Sequence, residues 1–184
     1  MKTDERAERR AAVLLAARWC FLNFGFAKTS FEDIARRANL SRTLLYRLFD
    51  DKEDIYRAVF VDWLVSRHPA ARQAAAAAGA PYDRLLRVSQ LIAVEPWSEM
   101  AGAPMGGEFL AACERIDPQS AALHRKVALE CAAEILGDEA SAEVFLLALD
   151  GLLADDPSTQ VLERRAELLV SRFTAAPRSK GKRK

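Results

Sequence analysis

Residues 29–52 read TSFEDIARRANLSRTLLYRLFDDK, and this stretch decides the fold. Ser30 with Asp33 three positions on is a variant of the capping box, in which a hydroxyl and an acidic side chain reciprocally serve the first backbone N–H groups of a helix. The helix so opened is short, buries Ile34 and Ala35, and ends near Ala38. Asn39 follows, a residue that tolerates the positive φ of a tight turn. Ser41 caps the next helix, which carries Leu45, Tyr46, Leu48 and Phe49, and Asp51 with Asp54 opens a fourth. Two short helices joined by a tight turn and braced by a longer helix form a helix-turn-helix.

The bracing helix is predicted from about Asp4 to Phe24. Val13, Leu14, Ala17, Cys20, Phe21 and Phe24 form its core-facing stripe, and Gly25 its left-handed cap. A second stripe, Leu15, Trp19 and Leu22, is expected to pack against a later helix. Downstream, an alanine run at 70–80 reads as helix, and Pro81 and Asp83 open another through about Val94. The Pro- and Gly-rich residues 95–107 read as irregular and lead into Glu108–Ile116. Asp117-Pro118 starts a long helix ending at Gly137, and Ser141–Leu153 and Ser158–Thr174 follow. No strand-period alternation interrupts the series, so the fold class is all-α. The expected organisation is a DNA-binding type domain over 1–52, a helical regulatory and dimerisation domain over 53–176 with 53–67 as its bridging helix, and a disordered basic tail over 177–184.

The chain has 184 residues, 51% hydrophobic and 29% charged, which is ample for a sizeable core. Its net charge of +1 conceals a gradient. Residues 1–60 hold 12 Lys/Arg against 9 Asp/Glu, residues 61–177 hold 10 against 17, and the last seven add five cations. A basic start and end around an acidic middle suits a polyanion at the ends. Cys20, Cys113 and Cys131 fit no metal spacing and are expected as reduced, mostly buried thiols in a cytoplasmic chain. No apolar run of the roughly 20 residues that span a bilayer is evident. With two histidines, no nucleophile–base pairing and no Gly-rich phosphate loop, the sequence offers nothing for an enzyme and implies no metal or cofactor.

Val13-Leu14, Ala16-Ala17, Phe21, Gly25-Phe26, Thr29-Ser30, Asp33-Ile34-Ala35, Ala38, Leu40-Ser41, Leu45-Tyr46, Phe49 and Lys52 resemble, in order and spacing, the DNA-binding domain of the tetracycline-repressor (TetR) family. The resemblance covers about residues 10–60. Asn39 departs from the Gly usual there, Leu44 from Thr or Ser, and Leu48 from the frequent His. Beyond residue 60 only the helical architecture is similar. What the resemblance implies is a transcriptional regulator of the repressor kind, binding a palindromic operator as a homodimer and released by a small, largely apolar effector. A DNA binder without such an effector, constitutive or controlled by a partner protein, is the alternative.

Residue by residue, Arg42 in the first turn of the recognition helix is suited to donate two hydrogen bonds to a guanine edge, Thr43 lies beside it, and the methyl groups of Leu44 suit a thymine methyl. By the resemblance, Thr29, Tyr46 and Lys52 are backbone-phosphate contacts; Ser30 and Arg47 are added as donors near the same helices. Candidate effector-pocket residues are Trp63, Tyr82, Leu86, Trp97, Met100, Met105, Phe109, Cys113 and His124. Candidate dimer-interface residues are Phe145, Leu149 and Leu152, then Val161, Leu162, Leu168, Leu169 and Phe173, more apolar surface than one narrow stripe needs.

Overall fold

A computed structural model describes residues 2–175, apart from the side chains of Lys2, Thr3, Asp4, Leu110, Cys113 and Glu114; the basic tail expected at 177–184 lies outside the described residues. Helices joined by short connections make up the described residues, which contain no strand: α1 (Lys2–Lys28), α2 (Phe31–Ala38), α3 (Arg42–Leu48), α4 (Lys52–Trp63), α5 (His68–Ala76), α6 (Pro81–Ser89), α7 (Glu95–Met100), α8 (Gly106–Ile116), α9 (Pro118–Leu136), α10 (Glu139–Gly151) and α11 (Thr159–Thr174). They form two compact units, one of residues up to His68 with Glu99–Arg125, the other of Pro69–Ser98 with residues from Lys126 onward.

In the first unit α1 packs on α2, α4 and α8. Val13, Leu14, Ala17, Cys20 and Phe21 are buried as their spacing predicts, while Phe24, expected in the same stripe, is exposed. The cause is Gly25, whose φ of 80° and ψ of 161° break the helix. Phe24, on the last turn before the break, meets Trp19 edge-on at 5.4 Å instead. A Cβ at residue 25 would also stand 2.9 Å from Met105 Cε and from Glu108 Oε2, the movable ends of two flexible side chains, so it is the positive φ that calls for glycine. Of the second stripe only Leu22 is buried; Leu15 and Trp19 stay exposed, and the Arg37 guanidinium lies 3.3 Å over the Trp19 ring. The core is closed by aromatic contacts of Tyr56 with Phe21, Phe26 and Phe109, and of Phe109 with Trp63. The Tyr56 hydroxyl donates to the Phe109 carbonyl.

The carbonyls at the end of α1 show how the sequence closes this helix. Four such groups lack intrahelical donors in any helix. Here Met105 N–H donates to Leu22 O at 2.9 Å, Thr29 N–H and Oγ1 donate to Gly25 O at 3.2 and 2.7 Å, and Lys52 Nζ donates to Phe26 O at 2.7 Å. Among described helices α1 also has, within Glu5–Lys28, the length and apolar content of a membrane span, an 18-residue window there reaching a mean hydropathy of 1.2, contrary to the expectation from inspection. Buried Val13, Ala17, Cys20 and Phe21 show that this apolar content serves the core of the unit.

The second unit gathers Leu85, Val88, Leu91, Val127, Cys131, Phe145, Leu149, Leu162 and Val170 into one core. Residues 95–100, expected to be irregular, are helical. Gln90–Val94 form a widened turn in which Glu95 N–H donates to Gln90 O, five residues back. Pro96 has no N–H to continue an ordinary ladder, and the wider turn accommodates it. Arg165 forks onto Asp155 at 2.6 and 2.7 Å, holding Asp155 below the usual carboxylate range, and also reaches Leu152 O. Cys20 and Cys131 are buried free thiols in their respective units, and burial pushes both pKa values up.

Candidate functional site

The helix-turn-helix is assembled from local chemistry. Ser30 and Asp33 form the full reciprocal capping box: Asp33 N–H donates to Ser30 Oγ at 3.2 Å, and Ser30 N–H to Asp33 Oδ2 at 3.0 Å. Hydrogen bonds from Ser30, then the Arg36 guanidinium at 2.7 Å, hold the Asp33 carboxyl below its usual range. Asn39 takes φ 54°, ψ 42°, the left-handed cap expected of it, and Leu40 N–H donates to Ala35 O at 3.0 Å. Ser41 Oγ accepts from Leu44 N–H at 3.2 Å to start α3.

α3 buries Leu45, and Phe49 just past its end is buried with it. Arg42, Thr43, Tyr46 and Arg47 are exposed, and at about 100° per residue they occupy a continuous arc of roughly 140° opposite that anchor. Tyr46 stacks on Phe31 of α2, ring centroids 4.5 Å apart. Its hydroxyl accepts from Arg42 at 3.1 Å, and this contact raises the Arg42 pKa above its already high value. Arg42 is thus charged and held beside Tyr46 on the outer face.

The other sequence-selected positions are placed differently. Leu44 and Leu48 are half-buried on the flank of α3 facing α1, where they line a cleft with Glu5, Arg6, Arg9 and Arg47; Leu44 is therefore turned away from the arc that carries Arg42 and Thr43. Thr29 is 2% exposed with its hydroxyl donated to Gly25 O, so it offers no free donor at the surface. Ser30 is exposed, though its hydroxyl also donates to Asp33 Oδ2 at 2.6 Å. The Lys52 ammonium donates to Phe26, Ala27 and Thr29 carbonyls at 2.7, 3.4 and 3.0 Å and lies 4.5 Å from the Phe26 ring. That is a clamp on the α1–α2 connection. Sequence reasoning passed over Arg6, Arg9 and Arg10, of which Arg10 lies 4.4 Å over the Phe49 ring; their signal was three arginines ahead of the apolar stripe in α1.

The nine pocket candidates divide between the two units. In the first unit Trp63, Met100 and Phe109 are buried core, and Met105 packs at Gly25. His124 pairs with His68, Nδ1 to Nε2 at 3.0 Å, and the Cys113 side chain is outside the described set. In the second unit Tyr82, Leu86 and Trp97 pack on the core, and Trp97 Nε1 donates to Pro157 O at 2.8 Å. Glu99 ties Arg18, Trp63 and Arg67 together. A cleft of about 790 Å³ in the first unit is lined by Phe26, Glu53, Glu108 and Arg115 among others, none of them a candidate.

Of the dimer candidates, Phe145, Leu149 and Leu162 are buried inside the second unit's own core, where α10 packs on α11 and α11 on α6, rather than at its surface. Leu152, Leu169 and Phe173 are half-buried against the same core. Val161 and Leu168 are exposed, Leu168 at 57%, together with Val144 at 57% and Leu147 at 60% on α10.

A capped two-helix turn with a cationic, polar outer arc on its second helix defines a helix-turn-helix domain of the DNA-binding class. Residues 13–59 match the family model of bacterial regulatory proteins of the tetR family. Among curated relatives it is 41% identical over 64 residues to the HTH-type transcriptional activator FasR of Mycolicibacterium smegmatis, covering 33% of this chain and 29% of FasR. It is 40% identical over 55 residues to the HTH-type transcriptional repressor BepR of Brucella suis biovar 1, covering 30% and 26%. The match thus spans less than a third of either relative. Its fold is that of solved TetR-type structures: a TetR-family transcriptional regulator from Streptomyces coelicolor (22% identity, 94% of this chain and 93% of that one, TM-score 0.68) and a TetR-like transcriptional regulator from Rhodococcus sp. RHA1 (20%, 92% and 97%, TM-score 0.62). The matched family and these neighbours are regulators, not enzymes.

Proposed function

We propose that the chain is a cytoplasmic transcriptional repressor that binds a palindromic operator as a homodimer. The observation that carries the reading is the exposed arc of α3, Arg42, Thr43, Tyr46 and Arg47, held rigid by the Leu45–Phe49 anchor. An α-helix of this kind fits the major groove, where Arg42 would leave Tyr46 to fork onto a guanine and Thr43 would sit beside it. Tyr46, Arg47 and Ser30 then meet phosphates, while Lys52 keeps the α1–α2 connection, and with it Ser30, in position.

One such helix reads too few base pairs for useful discrimination, so two copies are needed about one helical turn apart. Val144 and Leu147 on α10 with Val161 and Leu168 on α11 supply an exposed apolar face for a four-helix interface. Occlusion of a promoter by the bound dimer requires no further contact with the transcription machinery, and the reading is repression on that ground. The experiment is selection of a duplex from a random pool by the purified chain, followed by transcription from a promoter carrying that site. An enriched inverted repeat whose promoter is silenced supports the reading; absence of enrichment refutes it.

Release by a small, largely apolar effector completes the proposal. A second reading, a regulator with no such effector, is favoured by the burial of Trp63, Met100 and Phe109 and by the packing of Tyr82, Leu86 and Trp97 on the second unit's core. The two are separated by screening apolar compounds for a raised melting temperature coupled to loss of operator binding.

A further inference from the structure

The first turns of α1 lie against the recognition helix on the side away from the turn. Glu5, Arg6 and Arg9 of α1 and Leu44, Arg47 and Leu48 of α3 line one cleft of about 420 Å³. Leu44 and Leu48 form its apolar wall, and Arg6, Arg9 and Arg47 are exposed guanidinium groups at its edge. Arg9 pairs with Glu5 one turn earlier, so the cleft holds three cations against one anion. Arg10 is committed elsewhere, over Phe49, and pins α1 to the end of α3.

We propose that this cleft receives backbone phosphates of the same duplex whose major groove takes α3, with Arg6, Arg9 and Arg47 as donors, so that α1 is part of the DNA interface. The inference rests on the DNA-binding reading above and extends it. Arg47 belongs both to the groove-facing arc and to the cleft, which makes the two surfaces continuous. A helix lying in the major groove has a phosphate wall along each side. On one side stand Tyr46, Phe31 and the start of α2; on the other stand the two leucines and the arginines of α1. Guanidinium forks match phosphate oxygens, and the polyanion is the occupant that three clustered arginines suit. Glu5 restrains Arg9 in the free protein, and phosphate displaces its carboxylate on binding.

The test is duplex binding across salt by the full chain and three variants: Arg6→Gln/Arg9→Gln, Glu5→Gln and Arg42→Ala. Each phosphate neutralised contributes about 0.9 to the slope of log affinity against log salt. The double variant removes two guanidinium groups from each protomer of the bound dimer, so it is expected to lower the slope by roughly four such contributions and to weaken selected and random duplexes alike. Glu5→Gln is expected to tighten both, and Arg42→Ala to lose discrimination between them with little change of slope. An unaltered slope in the double variant, with circular dichroism unchanged, overturns the proposal while leaving groove binding by α3 intact. No duplex binding by the wild-type chain overturns the reading beneath it. Hydroxyl-radical footprinting gives an independent readout: the double variant is expected to lose the outermost protected sugars of each half-site, and retention of the full footprint overturns the proposal.

Discussion

Replacing Lys52 by alanine distinguishes a structural clamp from a phosphate contact. The ammonium donates to the carbonyls of Phe26 and Ala27, in the last turn of α1, and of Thr29, in the connection to α2. A hydrogen bond to a charged group is worth about 1.5–3 kcal/mol net. The Ala27 contact, at 3.4 Å, is weak, and water reaches this half-buried site in the variant. The two short bonds therefore set the scale, and discounted for rehydration they give about 2 kcal/mol in all. For a chain of this size about 1 kcal/mol corresponds to 2–4 °C, so the melting temperature is expected to fall by roughly 4–8 °C. Urea denaturation of wild type, Lys52→Ala and Lys52→Met provides the assay; the methionine keeps the apolar stem over Phe26, so both variants are expected to lose similar stability. If both remain within about 0.5 kcal/mol of wild type while the salt slope of duplex binding by the dimer drops by about two units, one for each protomer, the clamp is refuted. Lys52 is then a phosphate contact.

Ser30→Ala removes the capping box and is expected to cost about 1 kcal/mol of stability at neutral pH. Asp33 is held below its usual range chiefly by Ser30, so its contribution is present above the unfolded carboxylate pKa and lost as pH falls through the lowered folded one. The variant's deficit against wild type should therefore shrink in acid, measured by denaturation at a series of pH values; a constant deficit contradicts this. Gly25→Ala is expected to destabilise by more than about 1 kcal/mol, because φ is positive and the new methyl meets Met105 and Glu108; unchanged thermal unfolding would show the site is relaxed. Leu147→Asp with Leu168→Asp should yield monomers in sedimentation at micromolar concentration if the α10–α11 face is the interface, and an unchanged sedimentation coefficient in a wild-type dimer excludes it.

The helix-turn-helix was legible because its signals are local. Ser30, Asp33, Asn39, Ser41 and Asp51 each act within three or four residues, and every one caps as its spacing implies. Misreadings arose where the partner is distant in sequence. A helical period puts Phe24 on the buried stripe but is silent on whether a neighbour reaches the last turn before a break, and Leu15 and Trp19 stay exposed likewise. Thr29 and Lys52 sit in family positions for phosphate, yet their donors are taken by carbonyls that only tertiary structure brings near. Pro96 suggested a loop because single-sequence reasoning places proline outside helices, and a widened turn absorbed it. Trp63 and Phe109 illustrate the limit for a pocket, since the aromatic residues that would line a cavity are the ones that fill a core.

The central claim, that α3 reads sequence from a duplex groove, is tested most directly by competition binding of the wild-type chain and Arg42→Ala to its selected duplex against random duplex at about 0.15 M salt. The account predicts that the wild-type chain prefers the selected duplex by about 10³-fold or more. It also predicts that Arg42→Ala loses roughly 1–3 kcal/mol on that duplex alone. Equal affinity of the wild-type chain for both duplexes, or equal losses on both in the variant, would contradict it.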